Sequence, residues 1–195
     1  MRVSREAAAE SKARIVAAAS KMLRARGLEG ASIAEVMAAA GMTHGGFYKH
    51  FATKDDLNAA AVGAAFGEIV DLFDTRKSAS GVGAAIRSYI EEYLSTGHIE
   101  RPDVGCPVAA LGADAGRGPE ALSAEFAAGA EALIVRLSRS APDDAEREKA
   151  RADAIRTLAT LVGAVVIARA VGAGPLREEV LAACAAQLAL RESAR

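Results

Sequence analysis

The chain has 195 residues, a net charge of −1 at pH 7 and no tryptophan; hydrophobic residues supply 51% of it, aromatics only 4%. A composition dominated by alanine favours closely packed helices and argues against an all-β fold, and the near-zero net charge by itself selects no partner. The expected fold class is all-α.

The first apolar stripe, Ile15, Ala19, Met22 and Leu23, has helical spacing and ends at "ARGLEG", where Gly27 is a natural stop. Ser32 followed by Glu35 is a capping-box pattern, and Ile33, Val36, Met37 and Ala40 make a short second helix closed by Gly41. Thr43 is placed to cap a third. Phe47 and Phe51 lie four apart and face inward, which leaves His44, Tyr48 and Lys49 toward solvent. Thr53 with Asp56 caps a long fourth helix through Leu57, Ala61, Ala65, Ile69 and Phe73.

Two short helices joined by a Gly-containing turn, the second of them presenting polar and basic side chains, form a helix-turn-helix. Gly45 and Gly46 in the exposed turn let the backbone approach another surface closely, at about 1 kcal/mol each against alanine. Charge agrees: residues up to Asp55 carry nine Lys or Arg against five Asp or Glu, and the remainder fifteen against twenty. A basic head on an acidic body suits contact with a polyanion.

The segment "GASIAEVMAAAGMTHGGFYKHFATKDDL" resembles the DNA-binding segment of TetR (tetracycline repressor-like) transcription regulators, closely over Ser11 to Phe73. "GAVVIARAVGAGPLREEVL" is similar to the last two helices of many members, and the middle of the chain matches in helix pattern only. The resemblance implies that Tyr48, His50 and Lys54 contact phosphates and that Thr43, His44, Gly45 and Lys49 lie nearest the base edges. Ser32 and Gly46 complete the implied DNA-binding set. Tyr and Lys are sequence-indifferent phosphate donors, whereas the first turn of an inserted helix is placed to read bases. The implied organisation is a DNA-binding domain over residues 1–55, the fourth helix at 54–75 as connector, and an effector-binding and dimerisation domain over 56–195.

In the body, Val82, Ile86, Tyr89, Ile90 and Tyr93 mark one helix, and "GCPVAALGADAG" a short one. Pro119 opens another through Leu122, Phe126 and Leu133, and Pro142 with Asp143 starts a long one. Loops are expected at "TRKSASG", "STGHIERPDVG" and "RSAPDD". The long helix ends in "LATLVGAVVIARAV", apolar nearly all round, and the chain returns through Leu181, Cys184 and Leu188. A helix apolar on every side needs cover on every side, so a homodimer interface is expected over Leu161, Val165, Val166, Leu181, Cys184 and Leu188.

The resemblance also implies a small-molecule effector whose binding releases DNA. Candidate lining residues are Phe66, Ile69, Phe73, Tyr89, Tyr93, Cys106 and Phe126, and their character suits an apolar or weakly polar ligand. Cys106 stands before Pro107 at a helix start, where a thiolate is stabilised, so two readings stay open: a reactive thiol, or a small packed residue. Cys184 is read as interface packing.

No Gly-rich phosphate loop or metal-ligand spacing is present, no paired carboxylates stand out among the solvated acids, His98 stands alone, and no cofactor, metal or catalytic residue is expected. No uninterrupted apolar run approaches the roughly 20 residues that cross a bilayer, and the N-terminus lacks an apolar core with a cleavage site. The expectation is a cytoplasmic, ligand-responsive repressor that binds a palindromic double-stranded operator as a homodimer, with no membrane partner and no enzymatic activity. The alternative is a helical binding or thiol-reactive sensor protein whose basic head docks an acidic protein.

Overall fold

A computed structural model describes residues 5–139 and 141–193, and every regular element among them is helical. In chain order these are α1 (Arg5–Arg26), α2 (Ile33–Ala39), a 3-10 turn (His44–Lys49), α3 (Lys54–Ser80), α4 (Val82–Tyr93) and α5 (Thr96–Glu100). A second 3-10 turn (Pro102–Val104) precedes α6 (Pro107–Ala115), α7 (Glu120–Leu137), α8 (Asp144–Val171) and α9 (Pro175–Ser193). They divide into two compact units, one of Met1–Gly67 with Cys106–Gly129 and the other of Glu68–Gly105 with Ala130–Arg195.

In the first unit, α1 packs on α2 and α6, and α2 on the first 3-10 turn. Ile15, Ala19, Leu23, Val36, Met37, Phe47 and Leu57 are all at most 2% exposed and form its core. Gly27 and Gly41 have φ of +82° and +72°, the left-handed conformation that ends α1 and α2 and that glycine adopts without strain. Phe66 meets Phe126 edge to face with centroids 5.5 Å apart. Gly129 makes the room: a Cβ there would lie 2.2 Å from two carbons of the Phe66 ring. Cys106 is buried in this unit and forms no disulfide.

In the second unit α8 and α9 pack along each other, and α8 also meets α4 and α5. Its core holds Phe73, Ile86, Tyr89, Tyr93, Ile99, Leu133, Leu161, Val165, Ala168 and Leu188. Asp74 on α3 accepts from Arg136 on α7 at 2.6 Å, and Glu131 takes a bidentate pair of 2.6 Å bonds from Arg151 on α8. By length and composition alone α8 is apolar enough to cross a membrane, in a window that tolerates scattered charges; the expectation that no uninterrupted apolar run approaches roughly 20 residues stands.

Two expected loops are largely helical. "TRKSAS" continues α3 to Ser80; the hydroxyls of Thr75, Ser78 and Ser80 fold back onto the carbonyls four residues earlier, and Arg76 pairs with Glu92 of α4, tying this stretch to its neighbour. Gly81, at φ +81°, makes the break. In "STGHIERPDVG", Ser95 accepts from the His98 amide and caps α5, Ile99 is buried, and Arg169 of α8 donates to the carbonyls of His98 at 2.8 Å and Ile99 at 3.1 Å. A long-range arginine thus orders a segment whose local sequence reads as loop. Of the expected "RSAPDD" loop, Ser140 lies outside the described residues; Asp143 caps α8 by accepting from the Glu146 amide.

His98 sits inside this knot. Its Nδ1 lies 2.6 Å from the Tyr93 carbonyl, which can only accept, so Nδ1 carries the proton. Its ring packs on Tyr93 at 4.5 Å, and a side chain at Gly105 would collide with Nε2. Burial, reinforced by the Arg169 charge, holds the imidazole pKa below its ordinary value. A lowered folded pKa means that the unfolded chain binds the proton more readily, so stability is full above about pH 6.5 and falls as the pH drops below it. Unfolding free energies measured from pH 7.5 to 5 should fall by no more than about 1.4 kcal/mol per pH unit from this group, and His98→Gln should flatten that slope.

Candidate nucleic-acid interface

Two capping boxes fix the ends of the candidate site. Ser32 Oγ accepts from the Glu35 amide at 3.2 Å while the Glu35 carboxylate accepts from the Ser32 amide at 2.9 Å, and these bonds with the Arg26 guanidinium hold the Glu35 carboxyl below its usual range. Thr53 and Asp56 repeat the exchange at the start of α3, at 3.1 Å and 3.0 Å. Between them runs the turn carrying the motif residues.

That turn is a single 3-10 stretch, tighter than the third α-helix expected, and Thr43 at its start makes no side-chain capping bond. Without that bond, and with two glycines in the first three positions, nothing local favours the wider α-helical turn. The turn is anchored by aromatics: Phe47 is fully buried, Phe51 is 6% exposed, and their rings lie 5.8 Å apart. Lys12 of α1 sits 5.1 Å over the Phe51 ring.

The opposite face is open. Thr43, His44, Gly45 and Lys49 are exposed, and Tyr48 is 68% exposed with its ring edge on Phe47. Gly46 and His50 are half-buried, and Ser32 is exposed at its cap. Neither Gly45 nor Gly46 has positive φ, and a Cβ at Gly45 would meet nothing within 4 Å. The chain's own packing therefore does not demand glycine at Gly45.

Lys54 is not an open cation. Its ammonium pairs with Glu29 at 2.9 Å, a partner on the turn after α1 that sequence reading did not find, because the two residues are 25 apart. Sequence reading also missed Arg24, a 2% exposed arginine of α1 that donates to the carbonyl and hydroxyl of Ser20. Its position on the inner stripe was the available signal.

The candidate effector residues are distributed over both units. Phe66, Cys106 and Phe126 belong to the first unit; Ile69, Phe73, Tyr89 and Tyr93 belong to the second, where Phe73, Tyr89 and Tyr93 make a run of ring contacts at 6.0 Å and 5.5 Å. Of the candidate interface residues, Leu161, Val165 and Leu188 are buried within the second unit, Leu181 and Cys184 are half-buried, and Val166 is exposed. Ile155, Ile167 and Val171 of α8 and Leu176 of α9, not singled out in the sequence, are exposed as well.

Residues 15–61 match the family described as bacterial regulatory proteins, tetR family. No curated protein matches the chain in sequence. Solved structures do match in fold: a TetR-family transcriptional regulator from Cytophaga hutchinsonii has a TM-score of 0.75 at 18% identity, covering 97% of each chain. One from Agrobacterium tumefaciens has 0.73 at 22%, covering 92% of this chain and 98% of its own. NemR of E. coli in its reduced form has 0.70 at 19%, covering 89% and 94%. The exposed polar turn, its buried aromatic anchor and the two capped helices around it thus belong to the tetR-family DNA-binding domain that residues 15–61 form, in a chain with the fold of TetR-family transcriptional regulators.

Proposed function

We propose that the protein is a repressor that binds a palindromic operator as a homodimer and leaves it when a small molecule binds the body. The observation that carries this reading is the two-sided 3-10 turn: Phe47 and Phe51 fix one side, and His44, Tyr48 and Lys49 stand in solvent on the other. In this reading Tyr48, His50 and Lys54 hold phosphates, Thr43, His44, Gly45 and Lys49 face base edges, and Gly45 and Gly46 permit close backbone approach. Glu29 then competes with phosphate for Lys54, and DNA binding exchanges one ion pair for another.

Support for the homodimer is the open face of α8 and α9. Ile155, Ala159, Val162 and Val166 follow at helical spacing, all but half-buried Val162 exposed, with Ile167, Val171 and Leu176 adding apolar surface of the kind a second copy covers. The aromatic run Phe73, Tyr89 and Tyr93 supports an apolar or weakly polar effector. No catalytic role is proposed, and the cytoplasm, where the DNA is, is the proposed location.

Titration against operator and scrambled duplexes tests the phosphate assignment. Lys54→Ala and Tyr48→Phe should weaken binding to both duplexes alike, Lys54→Ala lowering the salt slope by about one unit. Lys49→Ala and His44→Ala should change the preference between duplexes. Unchanged affinity in both Tyr48→Phe and Lys54→Ala would remove the assignment.

A further inference from the structure

Lys54 meets a carboxylate before it can meet a phosphate. Its side chain is 29% exposed, and its ammonium lies 2.9 Å from a carboxylate oxygen of Glu29, whose own side chain is 90% exposed. Lys54 opens α3 and Glu29 stands on the turn between α1 and α2, so the pair ties together two parts of the DNA-binding domain.

The turn keeps Glu29 in place. Gly27 leaves α1 with φ of +82°, its carbonyl accepts from the Gly30 amide at 3.1 Å, and Leu28 and Ala31, which flank Glu29 and Gly30, are buried. A Cβ at Gly30 would lie 2.1 Å from the Arg26 carbonyl oxygen, so the backbone closes tightly just after Glu29. The Glu29 side chain has no part in that closure: Lys54 is its one hydrogen-bond and ion-pair partner among the described residues.

Glu35 is held differently. Its carboxylate accepts from the Ser32 amide at 2.9 Å, the Ser32 hydroxyl at 2.8 Å and Arg26 at 3.1 Å, which commits it to the start of α2. Glu29 is committed only to a cation of the proposed phosphate set.

We propose that Glu29 is a brake on DNA affinity: a carboxylate that occupies Lys54 in the free protein and must be displaced by the phosphate that Lys54 takes. The inference rests on the assignment of Lys54 to phosphate contact. An exposed ion pair is worth up to about fivefold in an equilibrium, and DNA binding gives up that factor. The released carboxylate then stands beside a phosphate of like charge. A purely structural pair would act with the opposite sign, because its removal would loosen the start of α3 and weaken binding.

Titration of the full chain with a mixed-sequence DNA duplex across a salt series, read by fluorescence anisotropy, tests this in the wild type, Glu29→Gln, Lys54→Ala and the double variant. Phosphate contact is indifferent to sequence, so the duplex need not be the operator. Glu29→Gln should bind about three- to tenfold more tightly than the wild type at low salt, with the advantage shrinking as salt rises and the circular dichroism unchanged. In the Lys54→Ala background the same substitution should gain about twofold or less, because only the removal of one negative charge remains. That difference separates the release of Lys54 from a general lowering of negative charge. If Lys54→Ala weakens binding but Glu29→Gln binds no more tightly than the wild type, or gains equally with and without Lys54, the brake is overturned and the phosphate assignment stands. Lys54→Ala without effect in either background would overturn the assignment, and the brake with it.

Discussion

Phe47→Ala should destabilise the first unit by about 3–5 kcal/mol, the range for removing a fully buried aromatic ring. Phe47 is 0% exposed and touches both other aromatics of the segment, Tyr48 at 5.2 Å and Phe51 at 5.8 Å. A 3-10 turn has poorer hydrogen-bond geometry than an α-helix, so this stretch depends on its side-chain anchor more than its neighbours do. Denaturant unfolding of the full chain should therefore begin at much lower denaturant, and DNA binding should be lost with it. Tyr48→Phe, at a 68% exposed position, is the control and should leave unfolding within about 0.5 kcal/mol of the wild type. Equal stability of Phe47→Ala and wild type would mean that the ring does not hold the turn.

The second large effect separates three consecutive residues of α8. Val166 is 45% exposed and Ile167 46%, whereas Val165 is 0% exposed. Placing aspartate at both Val166 and Ile167 should leave the chain helical and folded but bring unpaired charge into the proposed interface, at several kcal/mol. Sedimentation should then show monomers where the wild type gives dimers. Val165→Asp should instead unfold the second unit, since its charge would lie inside the chain's own core. If the double variant sediments as an intact dimer, the two-fold contact lies on another face.

These cases show where sequence reading reached and where it stopped. Period and capping chemistry are local, so the helix starts at Ser32, Thr53 and Asp143, the stops at Gly27 and Gly41, and the inward pair Phe47 and Phe51 were legible. The composition also forecast an all-helical chain. What failed depended on partners distant in sequence. Arg169 orders the α5 segment across about 70 residues, Glu29 reaches Lys54 across 25, and no periodicity encodes either contact.

The α8 stripe illustrates a further limit. An apolar helix announces that it will be covered, but not which positions its own chain covers; α9, α4 and α5 decide that by packing, and they bury Leu161 and Val165 while leaving Val166 and Ile167 open. The character of the 3-10 turn was hidden for a related reason. The spacing of Phe47 and Phe51 fits a helical turn of either width, and the hydrogen bonds of the turn, not the residue pattern, distinguish them.

The most direct test of the central claim is selection of duplexes from a random pool by the full-length chain, followed by titration of the winner across a salt series. The account predicts an inverted repeat whose half-sites are centred about one helical turn apart or a multiple of it, bound by two chains, with affinity falling steeply with salt and a scrambled duplex bound far more weakly. A pool that shows no enriched sequence, or a scrambled duplex bound as tightly as the selected one at every salt concentration, would contradict it.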